Sequence, residues 1–167
     1  MTIEIGSKLP AATLYESVAF GEACPLSPEK VDVLAATKGK KIVIFGLPGA
    51  YTPTCSAKHV PGYVEQLGAL KSKGVDEVWC VSVNDGFVMA AWGKELSAFG
   101  KVRMLGDGSA DFVKKLGLEL DLVAAGMGVR SQRFSMLVDD GVVKSLNVEK
   151  GNKFEVSDAG TMLAQLS

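Results

Sequence analysis

The sequence predicts an α/β fold with a mixed central sheet flanked by helices. Three observations lead there. From residue 41 onward, short apolar runs of strand character alternate with helix-patterned segments. Two later runs meet at Asp139-Asp140-Gly141, where the Asp-Gly pair marks a tight hairpin and hence an antiparallel pair. Between the first strand and its helix lies a turn that carries a cysteine, Cys55.

In chain order, the first forty residues read as irregular, broken by Gly21, Pro25, Ser27 and Pro28, with a short strand over 31–34. Ile42-Val43-Ile44-Phe45 opens a buried strand over 42–47, followed by a turn through Gly46, Pro48 and Gly49. Thr52 is a preferred N-cap and Pro53 a preferred first helical residue, which makes Cys55 the third residue of the helix. That helix is expected over 53–73 with an interruption near Pro61-Gly62. A strand over 77–83 precedes a helix over 87–99, whose apolar residues fall at 88, 89, 92, 96 and 99. A strand over 102–105 and a helix over 110–116 follow. The hairpin strands occupy 134–138 and 142–148, and a last helix over 158–166 takes Ser157 as its N-cap. No repeat, low-complexity tract or linker interrupts the 167 residues, so one domain over 1–167 is expected.

Composition narrows the function. A net charge of −1 speaks against a nucleic-acid or membrane-surface partner, since both favour a basic face. No apolar run reaches the roughly 18 residues needed to span a bilayer. The start, Met1-Thr2-Ile3-Glu4-Ile5, lacks signal-peptide and transit-peptide character. A cytoplasmic location is expected, although a processed organellar chain would read the same. Cys24, Cys55 and Cys80 are an odd set that suits a reducing compartment. One histidine and three scattered cysteines offer no metal-ligand spacing, and neither a Walker loop nor a dinucleotide fingerprint is present. No metal or bound cofactor is expected.

The chemistry concentrates at Cys55. In the first turn of a helix, unpaired N–H groups and the dipole favour thiolate over thiol, and the thiolate is the nucleophile. Such a cysteine at the first strand-to-helix turn suggests a thioredoxin-like fold. Lys58 stands where a Cys-x-x-Cys motif would place its second thiol, so the chemistry is not exchange between neighbouring cysteines.

Pro48-x-x-x-Thr52-x-x-Cys55 is similar to the active-site signature of peroxiredoxins, and the run from Gly46 to Gly62 resembles their type II, peroxiredoxin-5-like branch. Ser82-Val83-Asn84-Asp85, Ala91-Trp92-Gly93-Lys94 and Arg130-Ser131-Gln132-Arg133-Phe134 extend the resemblance in family order. The resemblance implies a thiol peroxidase acting on hydrogen peroxide and alkyl hydroperoxides. Cys55 would be the peroxidatic cysteine, oxidised to a sulfenic acid. Thr52 would bond the thiolate and the peroxide, and Pro48 would shield the thiolate from water. Arg133, by spacing alone an ordinary surface charge, would hold the thiolate and the peroxide oxygen; Arg130 reads as a supporting or surface residue. The resemblance also implies a homodimer, with Trp92 and residues 49–51 as candidate contacts, although helix spacing alone puts Trp92 in the core.

His59 lies four residues after Cys55, on the same helix face. A Cys-His nucleophile pair would also need an orienting acid and oxyanion donors that the sequence does not place, so His59 reads as a supporting group. Cys80 sits in a strand, where a cysteine is ordinarily buried and inert. Plant-like type II members carry a second cysteine at this place. Either Cys80 resolves the sulfenic acid, or an external thiol (glutathione with glutaredoxin, or thioredoxin) reduces it. Cys24 has no assigned part. A redox sensor or relay, passing oxidation from Cys55 to a partner protein, shares the first chemical step and stands as the alternative.

Overall fold

The computed structural model describes residues 1–166. Nine strands among the described residues form a seven-stranded mixed sheet and a separate two-stranded one. The strands are β1 (Thr13–Glu16), β2 (Glu29–Asp32), β3 (Lys41–Gly46), β4 (Glu77–Ser82), β5 (Arg103–Gly106), β6 (Glu119–Leu122), β7 (Gly128–Ser131), β8 (Phe134–Asp139) and β9 (Val142–Val148). The large sheet runs β2-β1-β5-β4-β3-β8-β9, with β3, β4 and β5 parallel and the outer strands antiparallel. Six α-helical segments accompany it: α1 (Val33–Thr37), α2 (Val60–Glu65), α3 (Leu67–Ser72), α4 (Gly86–Glu95), α5 (Asp111–Leu116) and α6 (Ala159–Gln165).

The central strands are buried on both faces, and the period-2 alternation sorts their side chains into two cores. Val43, Phe45, Val78 and Cys80 pack with Cys55, Tyr63, Leu70, Trp92 and Met162 from the helices of one layer. Ile42, Ile44, Trp79 and Val81 pack with Val33, Phe112 and Leu116 on the other face. Cys55 and Cys80 therefore share a layer.

The hairpin forms as read: Asp140 and Gly141 both take positive φ, 49° and 77°, the left-handed geometry that an Asp-Gly turn supplies. Several local expectations are corrected. The N-terminal segment contains β1, β2 and α1, while residues 1–12 and the loop between β1 and β2 are irregular, as expected. The strand expected over 31–34 ends at Asp32, which instead caps α1 by accepting from Ala35 N–H. Strand β1 lay hidden because it is four residues long and buries only Leu14, too short a run to mark a strand. Strands β6 and β7 escaped because each is four residues long and only Ser131 is buried; Glu119 and Asp121 are exposed, the rest are half-buried, and their pairing with each other defines them. Helix α4 ends at Glu95 rather than at 99, and Ser97 takes φ 56° just beyond it. The N-cap of α6 is Asp158, accepting from Thr161 N–H, rather than Ser157.

The helix that bears Cys55 is not interrupted at Pro61-Gly62. Instead, Cys55–His59 is a wide π turn leading directly into α2, with Val60 N–H donating back to the Cys55 carbonyl. Pro61 has no N–H and its ring would crowd the carbonyl four residues back, so widening the preceding turn keeps the helix continuous. The real discontinuity comes later, at Gln66 between α2 and α3.

Candidate active site

Strand β3 ends at Gly46, and the chain turns through Leu47 to Tyr51 into the helix. The Thr52 carbonyl accepts Ser56 N–H at 3.0 Å, so the helix starts where Thr52 and Pro53 predicted. The Thr52 hydroxyl does not cap it. It donates to the Gly49 carbonyl at 2.7 Å and so braces the turn. Arg130 braces the same turn from β7, with Nη1 donating to the Pro48 carbonyl at 3.3 Å and Nε to the Met127 carbonyl at 2.8 Å. An added Cβ at Gly49 would lie 2.7 Å from Arg130 Nη1, so a side chain there would make the guanidinium shift from its place at the Pro48 carbonyl. On the far side of Cys55, Ser56 Oγ accepts from Trp92 Nε1 at 3.0 Å. Trp92 is only 1% exposed, which places it in the core, whereas Tyr51 is 52% exposed.

Cys55 is fully buried. Arg133, on the short link between β7 and β8, donates from Nη2 to its sulfur at 3.1 Å. The other arm of the fork, Nη1, meets His59 Nδ1 at 2.9 Å. Arginine can only donate, so His59 Nδ1 must be the acceptor and its proton must sit on Nε2. Nε2–H duly faces the Ser157 carbonyl at 3.1 Å, which also accepts from the Tyr63 hydroxyl at 2.9 Å. The imidazole is thus neutral and oriented from both sides.

Burial first, and then the Arg133 charge, pushes the His59 pKa down from 6.5 to about 3, against the opposing pull of the Ser157 carbonyl and Glu149. That rules out a Cys-His ion pair at neutral pH: His59 holds the guanidinium rather than taking a proton from the thiol. It also has a consequence for stability. In the unfolded chain this histidine binds a proton below about pH 6.5, while in the folded chain it stays neutral down to about 3. Unfolding therefore takes up a proton in that window, and acid favours it. Urea titrations should show the unfolding free energy falling by about 1.4 kcal/mol per pH unit between roughly pH 6 and pH 4. His59→Gln should lose this part of the slope; an unchanged slope would show that other groups carry it.

Beside this cluster lies a cleft of about 510 Å3, lined by Pro48, Thr52, Arg133 and Glu149 and walled on one side by Leu120, Leu122 and Met127. The apolar wall comes from β6 and the segment before β7, which the sequence reading had missed. A larger cleft of about 620 Å3, near Asp32, Asp107 and Lys115, includes no member of the Cys55 cluster.

Cys80 lies in β4, between β3 and β5, and is fully buried. Burial, and after it the neighbouring Cys55, pushes its thiol pKa well up, with Arg133 opposing. It stays a protonated thiol at neutral pH. Cys24 is exposed, and all three cysteines are free. The structure thus brings Cys55, Arg133 and His59 into direct contact, sets Pro48 and Thr52 on the adjoining cleft, and keeps Cys80 in the core beneath. Glu149, Phe154 and Ser157 also belong to the cluster, and the sequence reading gave them no such part. The only local hint was an acid directly after an apolar strand.

A single cysteine at the head of a helix, opposed by a guanidinium and not by a second thiol, defines a thiol oxidoreductase of thioredoxin-like fold. The Redoxin family model matches residues 4–163. Peroxiredoxin-2B of Arabidopsis thaliana is 50% identical over 164 residues, 98% of each chain. Related Arabidopsis peroxiredoxins include chloroplastic and mitochondrial forms. Among solved structures, reduced Prx3 from Vibrio vulnificus in complex with hydrogen peroxide is 48% identical, with a TM-score of 0.91 over 99% of this chain and 100% of that one. A Burkholderia cenocepacia protein provisionally described as a thioredoxin reductase is 56% identical, with a TM-score of 0.95 over 100% of this chain and 99% of that one. The chain belongs to the peroxiredoxin family, in its type II, peroxiredoxin-5-like branch, and is a thiol peroxidase. Among the described residues, no helix is long and apolar enough to cross a membrane.

Proposed function

We propose that Cys55 is the peroxidatic cysteine for hydrogen peroxide and alkyl hydroperoxides, and that an external thiol, rather than Cys80, regenerates it. The observation that carries the first part is the 3.1 Å contact from Arg133 Nη2 to the buried Cys55 sulfur, beside the cleft. The Cys55 thiolate attacks one peroxide oxygen: an S–O bond forms, the O–O bond breaks, and the electron pair leaves with hydroxide or alkoxide, which takes its proton from water. Sulfur is oxidised to sulfenic acid and the peroxide is reduced. Arg133 stabilises the thiolate and then the charge growing on the departing oxygen. Thr52 has its own proton committed to Gly49, so toward a peroxide it acts as an acceptor and orients the O–H. Pro48 keeps water from the sulfur, and the apolar wall of Leu120, Leu122 and Met127 suits an alkyl group.

The placement of Cys80 supports the second part. It is a protonated thiol within a central strand, so attack on Cys55 from the folded state lacks a thiolate. A glutathione or glutaredoxin thiol attacking the sulfenic sulfur, with loss of water, gives a mixed disulfide that a second thiol cleaves. Multiple-turnover peroxide consumption tests this directly. Cys80→Ser should run at the wild-type rate with glutathione and glutaredoxin. A collapse of turnover in that variant would show that Cys80 resolves, and a variant active with glutathione and glutaredoxin but not with thioredoxin would show that it resolves for the thioredoxin route. A reducing compartment such as the cytoplasm suits three free thiols. Tyr51, exposed on the turn before Cys55, is the candidate contact of a homodimer.

A further inference from the structure

Glu149 follows β9 and is 6% exposed, yet its carboxylate meets no cation among the bonds of the described residues. Instead it gathers the segment beyond it. Its oxygens accept from Glu155 N–H at 3.0 Å, Val156 N–H at 2.9 Å, Ser157 N–H at 2.8 Å and the Ser157 hydroxyl at 2.6 Å. Burial alone would raise its pKa, but these bonds hold the carboxyl below its ordinary range. Successive N–H groups converging on one anion form a nest, which fixes the backbone of 155–157.

What the nest fixes points at Cys55. The Ser157 carbonyl is left to accept His59 Nε2–H. The Phe154 ring lies 5.0 Å from the His59 ring and 5.9 Å from the Arg133 guanidinium. Glu149 N–H donates to the Arg133 carbonyl at 2.9 Å. Arg133 is thus held through its backbone, its face and its Nη1 partner, and two of these supports run through Glu149: its own N–H on the Arg133 carbonyl and, by way of Ser157, the placement of His59.

We infer that Glu149 is a positioning residue of the peroxidase: its carboxylate shapes 155–157 so that Ser157 locks His59 as the Nε2–H tautomer, whose Nδ1 lone pair holds Arg133 against Cys55. The inference rests on Cys55 and Arg133 being the reacting pair. A neutral imidazole in the other tautomer would turn an N–H toward a guanidinium that can only donate, and the fork would swing away from the sulfur.

His59 is the one histidine of the chain, so a long-range 1H–15N spectrum reports its tautomer without overlap. The wild type at pH 7 should show the Nε2–H form; the Nδ1–H form or an imidazolium would overturn the inference before any variant is made. Glu149→Gln keeps the shape but turns an amide donor toward the backbone N–H groups. It should lose the pure Nε2–H signature and oxidise Cys55 more slowly with hydrogen peroxide in single turnover, by on the order of a hundredfold. Ser157→Ala, which removes one of the bonds, should fall between wild type and Glu149→Gln in both readouts. A tautomer lost with the rate intact, or a rate lost with the tautomer intact, would each overturn the coupling. Wild-type activity in Cys55→Ser would defeat the reacting pair and the positioning role together. An unchanged Glu149→Gln alongside an inactive Cys55→Ser would defeat the positioning role alone.

Discussion

Cys55→Ser should abolish peroxide consumption, whichever thiol system is supplied. A serine hydroxyl at the head of the helix stays neutral at pH 7, and its oxygen cannot take up a second oxygen as sulfur does in forming a sulfenic acid. Neither remaining thiol can stand in. Cys80 is buried and held protonated, and Cys24 lies on the exposed loop between β1 and β2. The fold should survive, because serine is close to isosteric and Arg133 Nη2, now 3.1 Å from the sulfur, can still donate to the hydroxyl. The expected stability change is within about 1 kcal/mol. Peroxide loss under multiple turnover, measured with circular dichroism as the control for folding, checks both halves. Residual turnover at the wild-type rate would remove Cys55 from the chemistry.

Arg133→Met should slow single-turnover oxidation of Cys55 by about 100-fold to 1000-fold, the usual cost of losing one preorganised donor to developing charge. Two effects combine. The sulfur loses its Nη2–H donor, and His59 Nδ1 is left as a buried acceptor without its 2.9 Å partner, which costs about 1–3 kcal/mol of stability. Arg133→Lys should recover only part of the rate. A single ammonium lacks the planar fork that bridges a sulfur and a ring nitrogen at once. His59 offers an independent check, since the Arg133 charge helps push its pKa to about 3, after burial. In Arg133→Met the pKa should rise from that value, visible in the imidazole resonances on acid titration. A wild-type oxidation rate in Arg133→Met would mean that the guanidinium is structural only.

The site's core was legible because its first half is local. Strand, turn, Thr52, Pro53 and Cys55 are consecutive, and N-cap and proline preferences act over one helical turn. Arg133 was reachable only through the resemblance, because it stands 78 residues from Cys55 with no local pattern of its own. Ser157 shows the limit from the other side. Its hydroxyl suggested a helix cap, yet Asp158 takes that place, and the Ser157 hydroxyl and N–H bind Glu149, eight residues earlier. Two carboxylates and a hydroxyl in one short stretch compete for the same backbone donors, and only packing decides among them.

The sequence by itself determined the parallel β3, β4 and β5, the hairpin at Asp140-Gly141 and the position of Cys55 at a helix start. Each depends on backbone preferences and hydrophobic alternation that act within a few residues. Tertiary structure alone decided the β1 pairing, the apolar wall raised by β6, the packing of Cys80 in one layer with Cys55 and the tautomer of His59. Those depend on which distant groups meet, and a buried polar atom takes whichever partner the packed chain brings within reach.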